Sequence, residues 1–179
     1  MPSTASNASQ VSVRAPEPAK SDTKFHVTSE SFTEGGAIPM DHVFTGCGGK
    51  NVAPQLSWSG APAEAKSFAI TCFDPDAPTG SGFWHWVAYN IPAKVTSIKA
   101  GEGKSPGGGK CGYTDYGISE YGGPCPPKGD GDHRYIFRVY ALDVDKIEGA
   151  SDKSTGAVVN FMMRGHVLAT GTITGKFGH

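Results

Sequence analysis

The residues of this chain that could do chemistry stand in two short segments. Asp74-Pro75-Asp76-Ala77-Pro78 precedes Trp84-His85-Trp86, and Gly122-Gly123-Pro124-Cys125-Pro126-Pro127 precedes His133-Arg134-Tyr135. Each couples a loop stiffened by proline to a strand that carries a histidine, so two rigid corners can hold polar groups that an apolar β core would not accept. Two imidazoles, a phenol and the free amides of the second loop, that of Cys125 among them, are donors matched to a small oxyanion such as a phosphoryl or carboxylate group. Asp74 and Asp76 would orient the imidazoles or meet a cationic part of a ligand, because a carboxylate beside an imidazole favours its protonated form. The plainer reading of Asp-Pro-Asp is an Asx turn whose carboxylates cap backbone amides. A histidine between two tryptophans is, by itself, equally a satisfied core residue; the second histidine-bearing strand is what favours a pocket.

The elements that must position these groups are mostly strands. Alternation predicts extended segments over 24–29 and 55–58, a central apolar strand over 67–73 that ends at the acids, and a strand covered on both faces over 83–91. Over 134–141, Tyr135, Phe137, Val139 and Ala141 share one face and the arginines the other, and His133 has the parity of Tyr135. Helical periodicity is convincing only over 157–169, with Val158, Phe161, Met162 and Val167-Leu168 as its apolar stripe, and a last strand follows over 170–177. The segment 35–49 reads as a long loop, and 99–110, with its five glycines, as a mobile one. Many strands against one clear helix, placed near the C-terminus, give an all-β class: an antiparallel sandwich or Greek key with few short helices. Residues 1–22, rich in Ser, Ala and Pro, read as a disordered tail before a single domain over 23–179.

Bulk properties exclude several classes. The 179 residues are 37% hydrophobic, with 25 glycines and 13 prolines, as in a loop-rich globular domain, and the formal net charge of −1 gives no basic footprint for nucleic acid or an anionic membrane. No apolar run approaches the roughly 18 residues of a transmembrane helix. The N-terminus lacks an apolar signal core, which points to the cytoplasm, or to the periplasm or outside if an export signal has been removed. Asn7-Ala8-Ser9 fits a glycosylation sequon only by chance in that setting. Cys47, Cys72, Cys111 and Cys125 lack paired C-x-x-C spacing; free thiols are the default, three disulfide pairings are open, and Cys72 reads as a small core residue.

Rival chemistries are weaker. A hydrolase could use the acids, histidines and tyrosine, but Ser57-Trp58-Ser59-Gly60 is not a nucleophile elbow and no H-E-x-x-H helix is present. A zinc site from His85, His133 and Cys125 is compatible with the ligand types without being diagnosed by them. Gly103-Lys104-Ser105 fails as a phosphate loop because Ile98 stands where its first glycine is needed. An interaction module that works independently of the pocket is a further alternative.

The Asp-Pro-Asp-Ala-Pro loop, the Trp84-His85 strand, the Gly-Pro-Cys-Pro-Pro loop and His133-Arg-Tyr135 followed by Val139-Tyr-Ala-Leu-Asp143 resemble the phosphatidylethanolamine-binding protein family, in its bacterial-type Raf-kinase-inhibitor-like branch. The resemblance runs from about Phe25 to Phe177. It implies a β-sandwich with a small anion pocket at one edge, formed by Asp74, Asp76, Pro78, His85, Gly123, Cys125, Pro126, Pro127, His133 and Tyr135, and a cis peptide at Ala77-Pro78, which an X-Pro bond adopts at a cost of only about 0.5–1 kcal/mol. It further implies a non-catalytic protein without metal or cofactor. Such a protein would bind a phosphate-bearing small molecule or phospholipid headgroup and act on a kinase or serine protease as regulator or inhibitor. The N-terminal tail, the glycine-rich 101–109 stretch, Asp132 and the Lys-Phe-Gly-His ending, where animal relatives carry a pocket-gating helix, depart from the pattern and bear on the partner more than on the pocket.

Overall fold

The protein is described by a computed structural model over residues 24–179; the expected tail, 1–22, and its sequon lie outside the described residues. Its centre is the run predicted to be central: β3 (Ser67–Asp74) is buried at every position. β1 (His26–Thr28), β2 (Leu56–Ser59) and β5 (Ser97–Ile98) form a small sheet in the order β1-β2-β5. With β4 (Phe83–Pro92), β6 (Lys110–Cys111), β7 (His133–Leu142) and β8 (Val167–Phe177), β3 forms a larger one, in the order β6-β4-β3-β7-β8. All pairings between these strands are antiparallel. Within the larger sheet the spatial order β7-β3-β4-β6 is that of a Greek key, the fourth strand returning beside the first. Phe25, Leu56 and Trp58 from the small sheet pack against Phe68, Trp86 and Phe137 from the large one, making the sandwich core.

The second face of the large sheet is covered too. There Ala69, Val87, Tyr89, Tyr140 and Leu142 pack under α1 (Gly156–Met163), whose start is capped by the Thr155 hydroxyl accepting from the Val158 amide. Beyond Arg134, β7 therefore has no open solvent face: the parity expected for Tyr135, Phe137, Val139 and Ala141 holds, but of the two arginines opposite them Arg134 is exposed and Arg138 only 6% so. The helix is shorter than its periodicity suggested. It ends at Met163; Val167 and Leu168 open β8, where pairing of Val167 with Leu142 outweighs their helical spacing. Gly156, Val159 and Met163 face inward, whereas Val158 and Phe161, assigned to the stripe, are 40% and 70% exposed.

The glycine-rich 99–110 segment is tied down rather than loose. Gly103 accepts from the Trp86 indole at 3.0 Å, the Gly101 amide donates to Ala53, and that of Gly107 to Glu102. Its glycines serve close approach: a Cβ on Gly109 would stand 2.6 Å from Ile91 and 2.8 Å from the Tyr89 carbonyl.

Gly156 sets how closely α1 lies on the sheet, since a Cβ there would be 2.3 Å from a ring carbon of Trp84. Gly156→Ala is expected to lower unfolding free energy by about 1–3 kcal/mol, the range for overpacking a filled site. Urea unfolding followed by tryptophan fluorescence would read this as a lower midpoint with an unchanged slope.

Candidate functional site

The site grows from the end of β3. Asp74, 2% exposed, accepts three hydrogen bonds: its Oδ1 takes the amides of Asp76 at 2.8 Å and Ala77 at 3.1 Å, and its Oδ2 takes Nδ1–H of His133 at 2.7 Å. The Asx turn and the imidazole-orienting role thus coexist on one carboxylate. Burial raises the Asp74 pKa, and the His133 and amide hydrogen bonds oppose that rise. Nε2 of His133 lies 3.6 Å from Asp130 Oδ2, an acid the sequence reading passed over in favour of Asp132.

His85 is aimed by a β-bulge. Cys72 pairs with Trp86 and Phe73 with Trp84, so one residue of β4, His85, has no counterpart on β3. Its Nδ1–H donates to the Gly122 carbonyl at 2.8 Å and approaches that of Gly123 at 3.2 Å. In the neutral ring this leaves Nε2 as a lone-pair acceptor. Burial in these apolar surroundings pushes the His85 pKa down to about 4, against the two carbonyl contacts, so the ring is neutral at pH 7.

The carbonyls that hold His85 are fixed in turn. Gly123 donates its amide to Asn51 Oδ1 at 2.7 Å and accepts from the Tyr116 hydroxyl at 2.9 Å. Only glycine fits: a Cβ would lie 2.0 Å from the His42 carbonyl. The following residue but one, Cys125, is joined to Cys47 in a disulfide with Cα atoms 5.5 Å apart, so the free-thiol default fails for this pair. The chain brings the two together because the 45–47 turn lies against the proline loop, where the Phe44 amide donates to the Pro124 carbonyl. Cys72 and Cys111 are free and buried, and burial pushes the thiol pKa of Cys111 up to about 12.

A cavity of about 230 Å³ lies between these corners. Asp74, Pro78, His85, Cys125, Pro126, Pro127, His133 and Tyr135 all line it, joined by Ala77, Thr79, Phe83 and Tyr116. The His85 and Tyr135 rings meet edge to face with centroids 5.0 Å apart. Tyr135 is fully buried, its hydroxyl has no hydrogen-bond partner, and burial holds its pKa far above the ordinary phenol value. No lysine or arginine lines the cavity, so its polar content is one carboxylate, two imidazoles and hydroxyls among aromatic and proline walls.

Two expected residues are not on the wall. Asp76 turns away because Arg134 clasps it with Nε and Nη2 at 2.9 and 2.7 Å and adds its backbone amide at 2.9 Å, clamping the loop to β7. Gly123 stands behind His85 as a support. The Ala77-Pro78 peptide is trans, correcting the cis expectation; the Asp74 cap and a Thr79 amide to Ala77 carbonyl bond of 2.8 Å set this turn. Phe83 could have been found from its i,i+2 spacing to His85, whereas nothing in the local sequence singles out Tyr116, placed by stacking on Phe44 at 4.1 Å. The zinc alternative loses its thiolate to the disulfide, and among the described residues no three His, Cys, Asp or Glu are grouped as metal ligands.

Two outcomes follow for stability. Between about 4 and the ordinary value of 6.5 the unfolded chain protonates His85 and the fold does not, so unfolding free energy should rise with pH across that window, by on the order of 3 kcal/mol from this residue. Asp74, with its raised pKa, works in the opposite sense at the acid end. His85→Gln should flatten this limb in urea titrations run at several pH values. Reducing Cys47–Cys125, which spans 78 positions, should remove about 4 kcal/mol in the chain-entropy view, read as a lower melting temperature in a dithiol reductant.

Comparison with known proteins agrees with this geometry. The family model described as phosphatidylethanolamine-binding protein matches residues 28–178. The Escherichia coli K12 protein YbcL is 47% identical over 157 residues, 84% of this chain and 85% of its own, and YbhB of the same organism is 44% identical over 155 residues, 83% and 97%. The crystal structure of E. coli YbcL, described as a new member of the mammalian PEBP family, aligns with a TM-score of 0.83 at 44% identity, covering 87% of this chain and 99% of that one. That of the homologue CT736 from Chlamydia trachomatis aligns with a TM-score of 0.76 at 31% identity, over 88% and 99%. With the motif loops on one cavity and the family match spanning nearly every described residue, the chain belongs to the phosphatidylethanolamine-binding protein family.

Proposed function

We propose that this protein is a non-catalytic binder whose cavity takes a phosphoryl group, carried by a small molecule or by a phospholipid headgroup such as phosphatidylethanolamine, and that it regulates or inhibits a kinase or serine protease. The observation that carries the reading is the Tyr135 hydroxyl, a buried donor without a partner at the wall of a small cavity that two imidazoles also line. A group left so in a native protein calls for an acceptor, and an oxyanion supplies one.

The charge state favoured is the monoanion. Neutral His85 offers a lone pair at Nε2, and Asp74 is a carboxylate, so a fully ionised phosphate would face two acceptors, whereas a singly protonated one donates its hydroxyl to Nε2 and accepts from Tyr135. Absence of catalysis is supported by the commitments of the cavity's hydroxyls: Thr79 donates to the Gly82 carbonyl, Tyr116 to that of Gly123, and burial keeps Tyr135 protonated. None is paired with a base that would activate it. The disulfide at the cavity wall favours an oxidising compartment, periplasmic or extracellular, over the cytoplasm.

Titration with inorganic phosphate and with phosphoethanolamine, following the His85 and His133 ring resonances by NMR, tests this reading. Saturable shifts are expected, with tighter binding at pH 6 than at pH 8, and Tyr135→Phe should weaken affinity about tenfold, as for loss of one hydrogen bond to a charged group. Rings indifferent to millimolar ligand would remove the reading.

A further inference from the structure

A second hollow, of about 510 Å³, lies where the small sheet meets the start of β3, between the 60–65 turn and the 93–96 turn that leads into β5. It shares no residue with the first cavity. Backbone bonds hold its walls: the Trp58 amide donates to the Thr96 carbonyl at 2.9 Å, and the Ala65 and Val95 amides close their turns onto the carbonyls of Pro62 and Pro92 at 3.0 and 2.9 Å. Trp58 and Phe68, 4% and 2% exposed and packed edge to face with centroids 5.3 Å apart, border it together with Ala61, Pro62 and Ala93. The walls are thus largely apolar and formed in advance of any ligand.

One group there is out of keeping with its surroundings. The Nε1–H of Trp58 is buried and has no acceptor. A buried indole N–H ordinarily finds one, as that of Trp86 does in the Gly103 carbonyl at 3.0 Å. Lys94, exposed, is the one charged residue that lines the hollow; Glu64, within the 60–65 turn, does not line it. An N–H donor and an ammonium over apolar walls, with no lining carboxylate, suit an acceptor that is negative and carries an apolar body. Free phosphate or sulfate has no apolar surface to bury here, whereas the anion of an aryl or branched aliphatic acid has both parts.

We infer that this hollow is a second ligand site, one that takes a small apolar carboxylate. A carboxylate oxygen accepts from Trp58 Nε1–H, the charge faces Lys94, and the hydrocarbon part covers Phe68, Ala61, Pro62 and Ala93. The site does not depend on what fills the first cavity, because the two have no wall in common.

Titration of the whole protein with benzoate and with 3-methylbutanoate tests this, followed by NMR on the indole N–H resonances of the three tryptophans. The Trp58 signal, identified by its loss in Trp58→Phe, should move saturably at millimolar carboxylate while those of Trp84 and Trp86 hold. Acetate, which lacks the apolar body, and benzyl alcohol, which lacks the charge, should each bind about tenfold more weakly. Trp58→Phe removes the donor and keeps an aromatic ring; read on the Ala61 and Thr96 amides, it should weaken benzoate about tenfold, as for loss of one hydrogen bond to a charged group. Lys94→Gln should weaken it about threefold, as for an exposed charge contact. An unmoved Trp58 signal, benzyl alcohol as tight as benzoate, or undiminished binding by Trp58→Phe would each overturn the site. Should that variant not fold, the Trp58 signal in Lys94→Gln decides: a benzoate affinity equal to the parent's counts against the site. Saturating inorganic phosphate, which His85 and His133 report, should leave the Trp58 response in place, so failure at either site leaves the other standing.

Discussion

The Asp74 carboxylate is the joint on which the pocket turns. It sits where the central strand stops, and its three hydrogen bonds close the following loop on one side and fix a histidine of the adjacent strand on the other. The His133 bond is buried and the two amide bonds are partly so, and losing the imidazole would leave a desolvated charge, a penalty of about 3–5 kcal/mol for buried pairs. Asp76 adds an outer clamp through Arg134, but that contact is largely wet and secures position more than stability. One acid thus orients chemistry from inside, the other holds the loop from outside.

Around that joint the cavity is prepared in layers. His85 is held by Gly122 and Gly123, Gly123 by Asn51 and Tyr116, and the loop they belong to by the Cys47 bridge. The atoms available to a ligand are therefore those the layers leave over: the second nitrogens of the imidazoles and the phenol of Tyr135. Holding donors in place before a ligand arrives limits the ordering entropy of binding, which suits a small ligand with few atoms to contribute.

Much of this was legible from residue order alone. The two proline loops, the strands that follow them and the parity of His133 with Tyr135 are local properties, and local properties survive folding. What could not be read depends on register or on distant contacts. The bulge at His85 appears only when β4 is laid against β3; the disulfide needs the 45–47 turn beside the second loop; and Tyr116 enters through stacking on Phe44, far away in sequence. Arg138 looked like a surface residue because the helix that covers its strand lies beyond it in the chain. The helix itself was overextended because Val167 and Leu168 fit a helical stripe and a β-strand equally well, and only the pairing of Val167 with Leu142 decides between them.

The pairing of β4 with β3 is irregular at two places, between Phe68 and Ile70 and between Cys72 and Phe73, and the second, at His85, sets the phase of the first residues of β4. Upstream of it Trp84 packs with Phe73 beneath the helix, and downstream Trp86 packs in the sandwich core. Were His85 paired opposite Phe73 without the bulge, side chains before it would exchange layers: the Trp84 indole would turn toward the hollow and the imidazole would be driven under α1. Chemistry and architecture are thereby keyed to the same backbone irregularity, and a lineage that lost it could not keep one while relaxing the other.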